Sequence, residues 1–385
     1  MTSTPVPAAL RSSPWRDRKR FLWLLSAAMP WLCLGHLFGY IHQGWVFWLW
    51  VLPLWIHLAL PLLDGVLGED RSNPPEAQLA EVESRVGYRW LVAAYVPGQW
   101  AITVVGAWLA ATQPMTLAAW AGLLLTVGGV NGVGINTAHE LGHKRVRWEQ
   151  WLSRLALLPV AYGHFFVEHN RGHHARVATP ADPASARLGE SFWAFLPRSM
   201  IGSLRSAWEL EALRLHHRGL AVFSLHNENL LSWVGTALLF GGLTIAFGWK
   251  ALPFLLAQAF YGASLLEVVN YIEHYGLLRS LGRDGKPVRC TPEHSWNASH
   301  LVSNLFLFHL QRHSDHHAHP ARRYQALRHF DESPQLPSGY AAMLVLAYCP
   351  PLWRRVMDRR VLAHYGGDAR RANVQPGQQF RYPVR

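Results

Sequence analysis

Four short stretches of this chain concentrate histidine. They read His139-Glu140-Leu141-Gly142-His143, Glu168-His169-Asn170-Arg171-Gly172-His173-His174, Asn270-Tyr271-Ile272-Glu273-His274-Tyr275-Gly276 and Leu310-Gln311-Arg312-His313-Ser314-Asp315-His316-His317. On a helix, residues four apart share a face with Cβ atoms about 5–6 Å apart, so His139 and His143 can grip one metal ion. His169, His173 and His174 repeat the arrangement at i, i+4, i+5, and His313, His316 and His317 at i, i+3, i+4. Imidazole suits iron, zinc, copper or nickel. Nine imidazoles exceed a coordination number of about four to six, and they suit two ions with positions left open for oxygen or water. The other thirteen of the 22 histidines, among them His36, His42, His57, His164 and His309, read as packed or surface residues.

The first stretch also fits HExxH, the helical motif in which two His hold zinc and the Glu is the general base of a metalloprotease. A catalytic zinc needs three protein ligands and a water, which leaves most of the other clustered histidines without work. The two-metal reading is therefore the stronger.

The elements that must position these residues are long and apolar. The chain has 385 residues, half of them hydrophobic, 19 of them Trp, and only 16% charged. Ordinary soluble domains carry roughly 25% charged residues, and disordered chains are poor in aromatics, so both are excluded for most of the length. Three cysteines at no informative spacing exclude a disulfide scaffold and an iron–sulfur or rubredoxin-type centre in this chain. Six segments have the length and composition of membrane helices: Phe21–Ile41, Trp45–Leu63, Leu91–Ala111, Thr116–Thr137, Leu230–Trp249 and Ala251–Val269. Glu267 is the exception to their lack of charge; at mid-membrane a charge costs about 2.5–3.5 kcal/mol on an insertion scale. The first run is too long for a signal-peptide core and reads as a retained anchor.

The net charge of +12 carries topology rather than nucleic-acid binding, since no basic stripe with interleaved aromatics is present. Arg11, Arg16, Arg18, Lys19 and Arg20 precede the first span. Arg71, Arg85 and Arg89 follow the second, and eleven Lys or Arg lie between His139 and Asn229. The first, third and fifth connections hold one basic residue, Lys250. The positive-inside rule then puts both termini, the long middle loop and the tail in the cytoplasm. The expected fold class is an all-α polytopic membrane protein with six transmembrane helices and a cytoplasmic helical cap carrying the histidine-rich site. Its parts are a cytoplasmic segment 1–20, four spans over 21–137, a cytoplasmic loop 138–229, two spans over 230–269 and a cytoplasmic region 270–385. The preponderance of Arg (32) over Lys (four) fits a GC-rich bacterium, and so a bacterial inner membrane.

The boxes HELGHK (139–144), EHNRGHH (168–174), NYIEHYGL (270–277) and LQRHSDHHAHPARRYQ (310–325) resemble those of the integral-membrane alkane 1-monooxygenases, part of the membrane di-iron desaturases and hydroxylases. Leu63-Asp64-Gly65, Gly68-Glu69-Asp70, Asn73-Pro74-Pro75, His294-Ser295-Trp296-Asn297 and Pro350-Pro351-Leu352-Trp353-Arg354 extend the likeness over nearly the whole chain; Ala321 stands where Thr is expected. NYIEHYGL separates this branch from fatty-acid desaturases; xylene-type side-chain monooxygenases are the nearest competitor.

The resemblance implies two non-haem iron ions, O2 as co-substrate and terminal hydroxylation of medium-chain alkanes. It implies as ligands His139, His143, His169, His173, His174, His274, His313, His316 and His317. It also implies rubredoxin and its reductase as the external electron source, which a basic face would steer if the donor is acidic. An alkane C–H bond offers no acid and no leaving group, so redox chemistry at a cofactor is required. Glu140, Glu168, Glu273 and Asp315 sit among the histidines, and ligating imidazoles usually donate their second N–H to such groups. Glu273 and Glu140 are thus read as partners of the ligands rather than ligands. The substrate is insoluble in water, so entry from membrane lipid is expected, with Trp55 on the second span a candidate limit on chain length. Arg312, Arg323, Tyr324 and Gln325 flank the last box, for structural hydrogen bonding or donor docking.

Overall fold

The computed structural model describes residues 15–382; Arg11 and the rest of the expected segment up to residue 14 lie outside the described residues. Apolar length dictates the architecture. Six helices are long and apolar enough to cross a membrane: α1 (Leu24–Gln43), α2 (Val46–Leu67), α3 (Val86–Thr112), α4 (Leu117–Gly142), α8 (Glu228–Phe247) and α9 (Ala251–His274). Between them lie α5 (Arg147–Leu157), α6 (residues 165–176) and α7 (Phe192–His217). After α9 come α10 (Leu301–Phe306), α11 (His313–Ala318), α12 (Tyr340–Ala347) and α13 (Pro350–His364). Among the described residues β-structure is limited to isolated bridges, such as Glu69 with His300. The described residues are all-α, as the six apolar segments predict.

Two of the six helices outrun the apolar segments read from the sequence. α4 continues past Thr137 to Gly142 and α9 past Val269 to His274, so His139 and His274 ride on the ends of the long helices themselves. α4 is the central helix, with 67% of its most apolar window buried, against 11% for the peripheral α8. Its crossing with α9 brings backbone against backbone. A Cβ on Gly262 would lie 2.9 Å from Gly128 O, and one on Gly132 would lie 3.0 Å from Gly262 O. Small residues allow such approach where lipid supplies no hydrophobic drive between helices. A buried amide chain fixes the register: Asn131 Nδ2 donates to Gln258 Oε1 (2.6 Å), and Gln99 Nε2 donates to Asn131 Oδ1 (3.0 Å) and Ala156 O (2.8 Å).

Polar anchors hold the later segments to this core. Asp64, at the end of α2, accepts the backbone N–H groups of Val302 and Ser303 at 3.0 Å each, which caps α10. Buried Arg312 donates to Leu327 O (2.7 Å), Asp70 O (2.8 Å) and Ser72 O (3.1 Å), tying the fourth box to the segment after α2. Arg323 pairs with Glu149 at 2.9 Å, and Gln325 Nε2 donates to Val82 O, so these flanking residues do structural hydrogen bonding. Gly262→Leu forces α4 and α9 apart. It is expected to destabilise the fold by about 1–3 kcal/mol and to lower bound metal, read by thermal unfolding and metal analysis in lipid nanodiscs.

Candidate metal centre

The nine clustered imidazoles converge into two groups. His139, His143, His169, His174 and His316 place one nitrogen each within 4.8 Å of one another; His173, His274, His313 and His317 form the second group on the same criterion. His143 and His174 are partly buried and the other seven buried. Within the first group Nε2···Nε2 separations are 2.8 Å for His139–His316, 3.1 Å for His169–His174 and 3.2 Å for His174–His316. Within the second they are 3.3 Å for His274–His313 and 2.9 Å for His313–His317. With a metal–nitrogen bond of about 2.0–2.1 Å, adjacent ligand nitrogens fall about 2.9–3.4 Å apart, so these separations match the edges of a coordination polyhedron that could hold an ion.

Local structure explains the division. His139 and His143 share a face one turn apart at the end of α4, as do His313 and His317 on α11, while His316 points to the other group. In the second box a regular helix would pair His169 with His173. Residues His169–His173 instead form a π turn, in which hydrogen bonds run i to i+5. His169 therefore joins His174, and His173 is released to the second group. Before α11, Phe308 and His309 both adopt left-handed backbone (φ 50° and 55°), a sharp turn that sets Leu310 and His313 on their separate tasks.

The electrostatics fit a cation. Burial, reinforced by the neighbouring imidazoles, holds His143, His169, His174, His313, His316 and His317 well below the ordinary histidine range, which leaves neutral ligands. His143 Nε2 and His173 Nε2 are buried with no hydrogen-bond partner. Such orphaned lone pairs cost free energy unless a proton or metal meets them. His173 is the exception in charge: burial lowers it, but the Asp182 carboxylate, with Glu168 and Glu267 behind it, raises it by more in sum. Asp182 Oδ2 lies 3.0 Å from His173 Nδ1 and accepts from Ser185 Oγ at 2.6 Å.

The acids expected beside the ligands divide. Glu273 Oε2 lies 3.2 Å from His313 Nε2, and its other oxygen accepts from Tyr340 OH at 3.0 Å. Glu140 turns instead to Lys144 Nζ (3.0 Å) and the Tyr324 N–H (3.3 Å). A protease base would have to face a zinc-bound water, and Glu140 is held in an ion pair. Glu168 is bound by Arg176 at 2.9 Å, and Asp315 by Arg322 and the Arg328 N–H. Asp182 escaped the sequence reading because it lies in a Pro-rich loop nine residues from its partner, outside every histidine box; no periodicity marks it.

An apolar cavity lies near the site, lined by Trp55, Leu60, Asn136, Val269, Leu310 and Tyr340 among others. Asn136 lies one turn before His139, Leu310 three residues before His313, and Tyr340 holds Glu273. Trp55, at the start of a π turn in α2, packs on Phe306 with ring centroids 5.3 Å apart. Asp182→Asn is expected to lower metal affinity about 10–100-fold, and Glu140→Gln to lower it less, as measured by competition with a chelator.

The fatty acid desaturase family profile matches residues 114–347, which span all four histidine boxes. The chain is 46% identical over 97% of its length to the alkane 1-monooxygenase of Acinetobacter baylyi, covering 92% of that protein. It is 45% identical over 97% of its length to that of Ectopseudomonas oleovorans, covering 93% of that protein. It is only 28% identical, over 82% of its length, to the xylene/toluene monooxygenase hydroxylase component of Pseudomonas putida, covering 83% of that protein. With paired histidine groups at the end of an apolar bundle and likeness along nearly its full length, the chain belongs to the alkane 1-monooxygenase family.

Proposed function

We propose that this enzyme hydroxylates the terminal carbon of medium-chain n-alkanes to 1-alkanols at a non-haem di-iron centre, held by the nine clustered histidines. The observation that carries this reading is an apolar cavity that reaches Tyr340, whose hydroxyl is bonded to the Glu273 carboxylate beside His313. Two bound irons would supply the redox chemistry that activates O2 toward an unactivated C–H bond. The protein's own share is positioning. Leu310, Val269 and Leu60 shed water around an alkane, and Tyr340 fixes Glu273 beside His313. Asp182 holds the His173 ring and its tautomer. Trp55, five residues before Leu60 on α2, caps the chain length admitted.

Two electrons come from outside, from rubredoxin and its reductase. Exposed Arg283, Lys286 and Arg289 on the loop after α9 support docking of an acidic donor there. Behind them Arg279 donates to Ala175 O at 2.7 Å, next to His174. The metal-bearing end, both termini and residues 138–229 and 270–385 then face the cytoplasm of a bacterial inner membrane.

Reconstituted with rubredoxin and reductase, the enzyme is expected to convert octane to 1-octanol far faster than it oxidises xylene, with products identified by mass spectrometry. Chelation should abolish turnover and ferrous iron restore it; full activity in the stripped protein, or xylene oxidation at the faster rate, would refute the reading. Trp55→Ala should lengthen the longest alkane accepted. Glu273→Gln should keep two irons per chain while altering turnover, whereas loss of iron would make Glu273 a ligand.

A further inference from the structure

Glu267 is the ionisable residue that the apolar spans do not explain. It is buried on α9, two turns before His274, on a different face from the Leu265, Leu266 and Val269 side chains that line the apolar cavity. Intramembrane acids mark proton or ion paths by default, given their cost. Glu267 faces a small polar chamber whose lining includes Tyr162, His164, Ser203 and Asn270 and whose inner wall is His169 and His173. Tyr162 OH donates to Glu267 Oε1 at 2.5 Å, and Asn270 Nδ2 approaches Oε2 at 3.5 Å. His164 Nε2 and Ser232 Oγ are buried without partners nearby in the fold. The chamber has room for about one water, and its several polar groups meet the two to four partners such a water needs.

The chamber has an outlet. Tyr162 and His164 also line an open surface groove with Ala161, Met200, Leu204 and Trp233. Trp233 lies in the second turn of α8. Ala161, at the mouth, has φ 52°, a strained conformation for a residue with a side chain.

We propose that this chamber is the proton inlet and water outlet of the metal centre, with Glu267 as the group that carries the proton. The proposal rests on the hydroxylase reading. One oxygen atom of O2 enters the C–H bond, and the other leaves as water after taking up two protons and the two electrons from the protein donor. The apolar cavity cannot conduct those protons. On the chamber side, the Glu267 carboxyl O–H breaks, its proton passes to the chamber water, and the carboxylate regains a proton from solvent along His164 and Tyr162.

Three measurements test this. Hydroxyl-radical footprinting of the metal-free protein reports buried water, and Tyr162 should be labelled in the wild type and protected in Ser203→Leu, which fills the chamber. Glu267→Gln should keep its metal and its KM for octane, lose about 10-fold or more in kcat, and show a larger solvent isotope effect; Glu267→Asp should recover most of the rate. Ser203→Leu gives the same kinetic readout if Glu267→Gln does not assemble. An unlabelled Tyr162, wild-type kcat and isotope effect in Glu267→Gln, or loss of metal in both variants overturns the proposal. Failure of the wild type to hydroxylate any alkane refutes the functional reading instead, and footprinting alone then decides whether the chamber is wet.

Discussion

A buried lone pair needs a proton or a cation. Nine imidazoles aimed at two points, most of them held neutral by burial, have almost no proton to share. Two Nε2 atoms 2.8 Å apart face each other as bare lone pairs wherever both rings keep their one hydrogen on Nδ1. Left alone, the arrangement would fly apart or protonate, so its geometry must be imposed by the surrounding fold. The acids of the boxes serve that end. Arg176 on Glu168, Arg322 on Asp315 and Lys144 on Glu140 lock the helices from which the ligands project. Asp182 and Glu273 alone of these carboxylates approach an imidazole. The charged network is largely a frame around the site.

The frame must be anchored in a medium where hydrophobic contact gives no preference for protein over lipid. The structure meets this with close backbone packing and shared amides. Gly128, Gly132 and Gly262 let α4 and α9 touch, and Asn131, Gln99 and Gln258 join three helices by hydrogen bonds that lipid cannot offer. Because His139 and His274 sit at the ends of those two helices, the spacing set by the glycines is transmitted directly to the two histidine groups.

Much of this was legible in the sequence, for definite reasons. Apolar length revealed the six membrane-length apolar helices, because spanning lipid leaves little choice of structure. The clustered histidines declared themselves by type and spacing, and all nine converge. Their partition was not legible. Helical spacing pairs His139 with His143 and His313 with His317 correctly, but it puts His169 with His173, and the π turn reverses that pairing. Nothing in His169-Asn170-Arg171-Gly172-His173 announces the extra residue per turn, which arises from the tertiary demand for two centres. Asp182 was hidden for a related reason: its role depends on a loop folding back, and loops carry no period. Glu140 shows the converse. Its position within HELGH suggests a partner for imidazole, yet on α4 it points toward Lys144, the residue one turn on.

The two π turns belong to one argument. A helix that keeps 3.6 residues per turn presents successive side chains in a fixed order, which suits a single stripe of contacts. This site asks neighbouring residues for opposite directions. His173 and His174 belong to different histidine groups, as do His316 and His317. On α11 the natural angle between adjacent residues is enough, because the helix end lies between the two groups. On α6 the ligands start a full turn earlier, so His169 can share a group with His174 only if the turn is widened by one residue. In α2 the same device occurs at Trp55–Ala59, beside the apolar cavity, where Trp55 packs on Phe306 and Ile56 approaches Gly129. Widened turns are poor helical packing and are found mainly where a side chain must be re-aimed. Their two occurrences here bracket the apolar cavity and the clustered histidines, the two surfaces that a substrate and its oxidant would have to share.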